Sequence, residues 1–518
     1  MKKLLHLVCL LVLGFSSQLS AQRFLTEVYS STTVTSNVIY GHNVQFLTGS
    51  PVTVDLKADV YEPVGDTMTS RPTIIMLHTG SFIPIFYNGQ TTGIKTDSTI
   101  TEMCRQFARR GYTAIAMDYR LGWNPTALGP TGQDIRTGSL LQAVYRSLQD
   151  AKACVRYFRN DANNANTYHI DQSKIILGGA GSGGYVALAY ATLNNSAQIS
   201  LPKFLAATTN VSYGFTAGLS YINQGVWGDF DGYGGAMGFN IATNTPGVSN
   251  AVSFVFNMGG ALGDSSWLTA GNVPMVCFHV VNDPFAPYYD GPVIVPTTGD
   301  FVVDVSGSHT IIARADSLQN NSSFQNNTWT DPFTTRANQV NDGHDGLCPF
   351  VLPTPSLAPG QAGPWEWYDS TTCYVTMMSG LGYSQNHADT VWRASLRTNP
   401  DMSSTKGHAY VDTIMGYLNP RIAGALQLPT GIQTASQLNN LVNVFPNPAS
   451  DYFQIGVSDY SNPIQRVNVY DITGRNVYSV NNIRSVEYRM DTRSMEAGVY
   501  VIKIGFDKGE VIRKLTVN

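Results

Sequence analysis

Asp171-Gln172-Ser173-Lys174-Ile175-Ile176-Leu177-Gly178-Gly179-Ala180-Gly181-Ser182-Gly183-Gly184 is the stretch on which the reading of the fold turns. Lys174 to Leu177 carries a short apolar run, the pattern of a buried strand. Only small residues follow it, so the backbone can turn sharply and pack closely on itself. Tyr185 to Thr192 then reads as a helix. A strand that feeds through a glycine-lined turn directly into a helix is a unit of parallel α/β architecture.

The same alternation extends to both sides. Val52 to Tyr61 alternates apolar and polar residues, as a half-exposed strand does. Thr73 to Leu77, Tyr112 to Met117, Val252 to Asn257 and Val273 to His279 are nearly continuous apolar runs, the pattern of strands covered on both faces. Ile100 to Arg109 and Leu140 to Phe158 have helical periodicity, and Val411 to Leu418 reads as a last helix ending at Pro420. The fold class is therefore α/β, with a mostly parallel sheet. Asn320 to Gln385 has little periodicity and reads as an irregular lid or insertion over the sheet edge.

The order of motifs resembles the carboxylesterase and lipase branch of the α/β-hydrolase superfamily over residues 52 to about 422. Leu56-Lys57-Ala58-Asp59-Val60-Tyr61-Glu62-Pro63 looks like that family's opening strand. His78-Thr79-Gly80-Ser81-Phe82 looks like its HGGG-type oxyanion loop with two glycines replaced, and Asp118-Tyr119-Arg120-Leu121-Gly122 like the segment after the next strand. Gln149-Asp150-Ala151-Lys152 lies in the helix before the elbow strand. His279-Val280-Val281-Asn282-Asp283-Pro284 resembles the acid loop. The resemblance implies a serine mechanism on carboxylic esters, with no metal and no cofactor.

Two registers are open at the elbow, where the family usually reads G-x-S-x-G. Aligned without a gap, Gly181 takes the nucleophile's place and cannot attack a carbonyl. With a slip of one residue Ser182 takes it, flanked by Ala180 and Gly184. In the active register Ser182 attacks, His344 takes its proton and Asp283 holds the imidazole. Thr79 or Gly80 and Gly183 would supply the oxyanion N–H groups, and Gly179, Gly181 and Gly184 would shape the elbow. His344 is preferred over His309, His387 and His408 because it follows the acid in a glycine-bounded turn. His78 would shape its loop rather than move protons. Trp365-Glu366-Trp367-Tyr368 lines a pocket or closes the core, and Glu366 and Asp369 show no pairing suited to glycoside chemistry. Two functions follow, one for each register: a secreted or cell-surface serine hydrolase of carboxylic esters, or a catalytically inactive hydrolase-like protein that binds a ligand.

The two ends of the chain concern export. Residues 1–21 have a signal-peptide pattern: Lys2 and Lys3, an apolar stretch from Leu4 to Phe15, and a small-residue site closed by Ala21. The hydrolase-like body spans 22–428 and a polar linker 429–440. The remainder, 441–518, has short alternating strands separated by Asp, Gly and Asn, as in a small β-sandwich. Val444-Phe445-Pro446-Asn447-Pro448-Ala449, Val467 to Arg475, Ala497 to Ile504 and the terminal Lys514-Leu515-Thr516-Val517-Asn518 resemble the type A sorting domain of the type IX secretion system of Bacteroidota. The resemblance implies outer-membrane translocation, with the secretion machinery as partner and a location that is secreted or at the cell surface.

Composition excludes some classes. Charged residues are 13% of 518, net charge is -4, and no basic stretch points to nucleic acid. No segment after the signal is apolar enough to span a membrane. Six cysteines leave five once Cys9 departs with the signal. Cys104, Cys154 and Cys277 read as core residues, and Cys348 and Cys373 as a candidate pair.

Overall fold

The computed structural model describes residues 23–518 except 48–49, 86–89, 243–244, 296–297, 326, 328, 354–359, 430–440, 459–462 and 507–508. The expected signal peptide and most of the expected linker lie outside the described residues. The chain divides into a body, Phe24–Leu428, and a unit that contains Pro429–Asn518.

The body is built on eight strands. They are β1 (Thr32–Leu47), β2 (Ser50–Pro63), β3 (Arg71–Leu77), β4 (Thr113–Met117), β5 (Ile170–Ala180), β6 (Phe254–Met258), β7 (Met275–Val280) and, after a hairpin of β8 (Asp290–Ile294) and β9 (Phe301–Ser306), β10 (Leu347–Phe350). Their order across the sheet is β1-β2-β4-β3-β5-β6-β7-β10. β2 is antiparallel to both neighbours, and from β4 to β10 every pairing is parallel. This strand order, with its second strand reversed, is the α/β-hydrolase fold.

The apolar runs are explained by burial on both faces. Along β3, Ile74 and Met76 enter one core, while Ile75 and Leu77 enter the other. Helices α1 (Ser98–Arg109) and α6 (Ser404–Ala425) cover the first face with Met103, Phe107, Ile414 and Leu418. Helices α2 (Gly132–Asn163) and α3 (Ser182–Thr192) cover the second with Leu148, Val155, Phe158 and Leu188. In chain order α4 (Ser308–Ser317) and α5 (Gln385–Thr398) fall between α3 and α6; Ile311 and Ile312 of α4 join the second core, and Val391 of α5 belongs to a separate small cluster.

Three sequence readings change. The last helix does not stop at Pro420 but runs through it to Ala425. An interior proline costs a helix about 3 kcal/mol. Here Tyr417, Leu418 and Ile422 are fully buried, and at about 1.5–3 kcal/mol for each large apolar side chain they outweigh it. Asn320 to Gln385 is not simply an insertion, because it contains the edge strand β10, paired with β7. Pro349 hid that strand in the sequence, and an edge position tolerates proline. Cys348 and Cys373 are both free and buried, Cys348 in β10 and Cys373 in a separate cluster with Met377 and Val391.

The second unit is a sandwich of a three-stranded sheet, β11 (Val442–Phe445), β12 (Tyr452–Val457) and β15 (Glu487–Asp491), and a four-stranded one, ordered β14 (Asn476–Ser485), β13 (Ile464–Asp471), β16 (Gly498–Phe506) and β17 (Gly509–Val517). Phe453, Ile455, Val467, Val469, Ile502, Ile504 and Leu515 fill its core. Asn447 ties the start of the domain to its end: its amide donates to the Lys514 carbonyl at 2.7 Å and accepts from Thr516 N–H at 2.9 Å.

Candidate functional site

β5 ends at Ala180, and Gly181 turns the chain with φ 51° and ψ -117° before α3 starts at Ser182. This positive φ suits glycine. Gly181 N–H donates to the Met258 carbonyl at 2.8 Å, which pins the apex to β6. The glycines around it are required by close approach. A Cβ on Gly179 would lie 2.2 Å from the backbone of Gly183, and one on Gly183 would lie 2.5 Å from the Leu77 carbonyl. The observed register is thus Gly179-x-Gly181-x-Gly183, without a slip. Gly184 does not flank the apex in this register; it packs against Asn257, whose Oδ1 would lie 2.1 Å from an added Cβ.

Ser182 is consequently not at the apex. It occupies the first turn of α3, 6% exposed, and its Oγ is 2.9 Å from the Tyr119 hydroxyl. Tyr119 donates to the His78 carbonyl at 2.7 Å, so Ser182 donates to Tyr119. The place beside the apex belongs to Thr79. Its Oγ1 lies 2.2 Å from where a Cβ on Gly181 would stand. Gly183, expected as an oxyanion donor, gives its N–H to the His78 carbonyl at 3.1 Å. Gly80, Ser81 and Phe82 all have positive φ, so the loop after β3 is tightly wound. His78 stacks on Tyr119 with ring centroids 4.3 Å apart, and burial holds its imidazole below its ordinary pKa. It is a neutral wall of the site.

Asp283 follows β7. Its Oδ1 accepts from Phe285 N–H at 2.7 Å and Ala286 N–H at 3.2 Å. Dense surroundings push its carboxyl up to about 7 despite those two bonds. His344 does not join it. This histidine precedes β10, at the strand's N-terminal end, whereas Asp283 and the elbow lie past the C-terminal ends of β7 and β5. Nδ1 of His344 is 2.7 Å from Asp316 at the end of α4, and its ring meets His309, which pairs with Asp342 at 3.1 Å. The chain that continues from the C-terminal end of β10, residues 351–364, contains no histidine. Ser182, Asp283 and His344 therefore do not assemble as a triad.

Three groups at the site have places that the sequence reading did not assign. Thr79, expected only as a backbone oxyanion donor, brings its side-chain hydroxyl to the apex, and Tyr119 was legible only as a member of its motif. Glu366 is the third: neither carboxyl oxygen has a hydrogen-bond partner among the described residues. Burial raises its carboxyl. Asp97, 6% exposed, is its acidic neighbour, and its carboxyl pKa is raised by burial first and by Glu366 second. Asp97 also faces Tyr119 electrostatically. No spacing links positions 97 and 366, so only the fold reveals the pair. Trp365 closes the core rather than opening a pocket: it is 2% exposed, packs on Phe350 at 5.9 Å, and its carbonyl accepts from Thr99. Among the described residues no group of histidine, cysteine and carboxylate side chains has a metal-holding arrangement, and no helix is long and apolar enough to cross a membrane.

Comparison with known proteins agrees with both parts of the chain. Residues 58–217 match the family model BD-FAE, and residues 443–518 match the secretion system C-terminal sorting domain. The body has an esterase-like α/β-hydrolase fold, and the C-terminal domain is a type IX sorting domain that directs the protein to the outside of the cell or its surface. No curated protein matches the chain. Among solved structures, it is similar to Thermogutta terrifontis esterase 2 phosphorylated by paraoxon, at 16% identity over 70% of this chain and 93% of that one, with a TM-score of 0.34. The butyrate-bound form of the same esterase gives 15%, 67%, 92% and 0.32. The fold assignment rests on the strand order rather than on these likenesses.

Proposed function

We propose that the exported body uses its hydrolase cleft to hold a small neutral ligand, carboxylic esters included, without turnover through a serine triad. One observation carries this reading: glycine occupies the elbow apex, and the Thr79 hydroxyl fills the space a nucleophile would need. Hydroxyls of Thr79, Ser182 and Tyr119, with carboxyl groups nearby whose pKa burial raises, suit hydrogen bonding to a neutral polar molecule. A second reading, ester hydrolysis from Ser182, is favoured by the BD-FAE match across the elbow and by the position of Ser182 next to the apex. The two separate in one assay. The purified body is given p-nitrophenyl acetate and a fluorophosphonate label, and methyl butyrate binding is followed by saturation-transfer NMR. The binding reading expects saturation transfer, no label and no hydrolysis above that of Ser182→Ala. Hydrolysis and labelling abolished by Ser182→Ala would overturn it in favour of the hydrolase.

A further inference from the structure

Residues 368–398 form a flap that packs mainly on itself. A short helix (Ser370–Tyr374), a wide π-helical turn (Val375–Gly380) and α5 surround a small core of Cys373, Met377, Ala388 and Val391, separate from the two cores of the sheet. The two ends of the flap meet at its root. Ala362 N–H donates to the Thr398 carbonyl at 2.8 Å, and Asn399 Nδ2 donates to the carbonyls of Gly363 at 3.2 Å and Glu366 at 2.8 Å. Gly363 has φ 52°, so the chain enters the root through a bend that suits glycine. The root borders the elbow: a Cβ on Gly259 would lie 3.4 Å from the Trp365 ring and 3.7 Å from Asp283 Oδ2.

Glu366 sits in this root, its two oxygens buried without a partner. The Thr99 hydroxyl beside it gives its proton to the Trp365 carbonyl at 2.6 Å. Thr99 can therefore accept from a protonated Glu366 but cannot donate to an ionised one. Across from Glu366 is Asp97, whose Oδ2 accepts from Gly93 N–H at 2.8 Å, with Asp118 and Tyr119 behind it and Tyr368 on the flap side. Cations on the neighbouring elements are engaged elsewhere. Lys95 pairs with Asp59 at 3.0 Å, and Lys406 donates to Asn399 at 2.8 Å. His78 faces Asp118, and His408 lies on Trp367 and faces Glu102.

We propose that Glu366 and Asp97 form a proton-dependent latch: while the pair holds a proton the root stays packed, and once both ionise their repulsion frees the flap from the edge of the elbow cleft. An unanswered buried charge beside a second one is the costliest group in the root. Both carboxyls hold protons more tightly when closed, so closure is favoured at low pH and is lost as pH rises through their raised values. What the flap uncovers rests on the cleft reading above; the latch itself does not.

Amide hydrogen exchange of the purified full chain, read by mass spectrometry and corrected for the intrinsic pH dependence, tests it. Opening of residues 368–398, measured against α2, is expected to rise at least about tenfold from about pH 5 to about pH 9, the worth of one pKa unit. Glu366→Gln and Asp97→Asn keep the size and lose the charge, and each should hold the rise under about threefold. Asp283→Asn should leave the rise in place, which separates the latch from that third buried acid. If one latch variant does not fold, the other decides. A parent flap whose opening changes less than about threefold, or a latch variant with the parent's pH dependence, would overturn the proposal. Exchange is read with no ligand present, so that failure would leave the ligand reading of the cleft standing.

Discussion

Gly181→Ser restores a hydroxyl at the elbow and exposes how the site is built. The new side chain meets two costs. A residue with a Cβ held at φ 51° and ψ -117° bears strain of about 1–3 kcal/mol. Its Cβ also falls 2.2 Å from Thr79 Oγ1 and 3.1 Å from Thr79 Cβ, so Thr79 must leave its rotamer or the loop must shift. That adds about 1 kcal/mol or more. The expected loss is about 2–4 kcal/mol, read from the urea midpoint of the body's transition. Thr79→Ala in the same chain removes the hydroxyl and should return about 1–2 kcal/mol, while Thr79→Ala alone should cost little. No acyl-enzyme burst should appear in either variant, since residues 351–364, which continue the chain from β10, include no histidine. A Gly181→Ser protein as stable as the parent, or one whose loss Thr79→Ala leaves unchanged, would refute the steric account. A burst would refute the account of the missing base.

Two further predictions concern buried charge. Asp283 has a folded pKa of about 7 against an ordinary 3.8, so between those values the folded state holds a proton that the unfolded state has released. Stability therefore falls as pH rises from about 4 to about 7 and levels off above it. At about 1.36 kcal/mol per pH unit the contribution approaches about 4 kcal/mol, and residual exposure trims it to about 2–3. Asp283→Asn keeps the acceptor and should gain that much on the parent between pH 4.5 and pH 8 in urea midpoints; parallel pH profiles would rule the titration out. In α6, Arg421 is fully buried and its Nε donates to Asp345 at 2.7 Å. Asp345→Ala should cost about 3 kcal/mol by leaving that guanidinium unpaired, and thermal unfolding checks it.

The parallel sheet was legible because strands covered on both faces must be apolar almost throughout, as in Ile74 to Leu77 and Ile175 to Leu177. Alternating strands of the C-terminal sandwich were legible for the complementary reason, one face of each being wet. β10 was obscured by Pro349, which an edge tolerates, and Pro420 suggested a helix end that deep burial overrides. His344 had the right chain order after Asp283, but order does not say which end of a strand a residue occupies.

Sequence by itself determined the class of fold, the division into a body and an export domain, and the narrow choice between Gly181 and Ser182. Those depend on local periodicity and on residue size. Tertiary structure decided the register, because the glycine that must sit against Gly183 is Gly179, and the backbone of Leu77 leaves no room for a Cβ at Gly183. It also brought Thr79 to Gly181 and Asp97 to Glu366. Contacts between strands and loops distant in sequence set those positions, and no spacing along one chain encodes them.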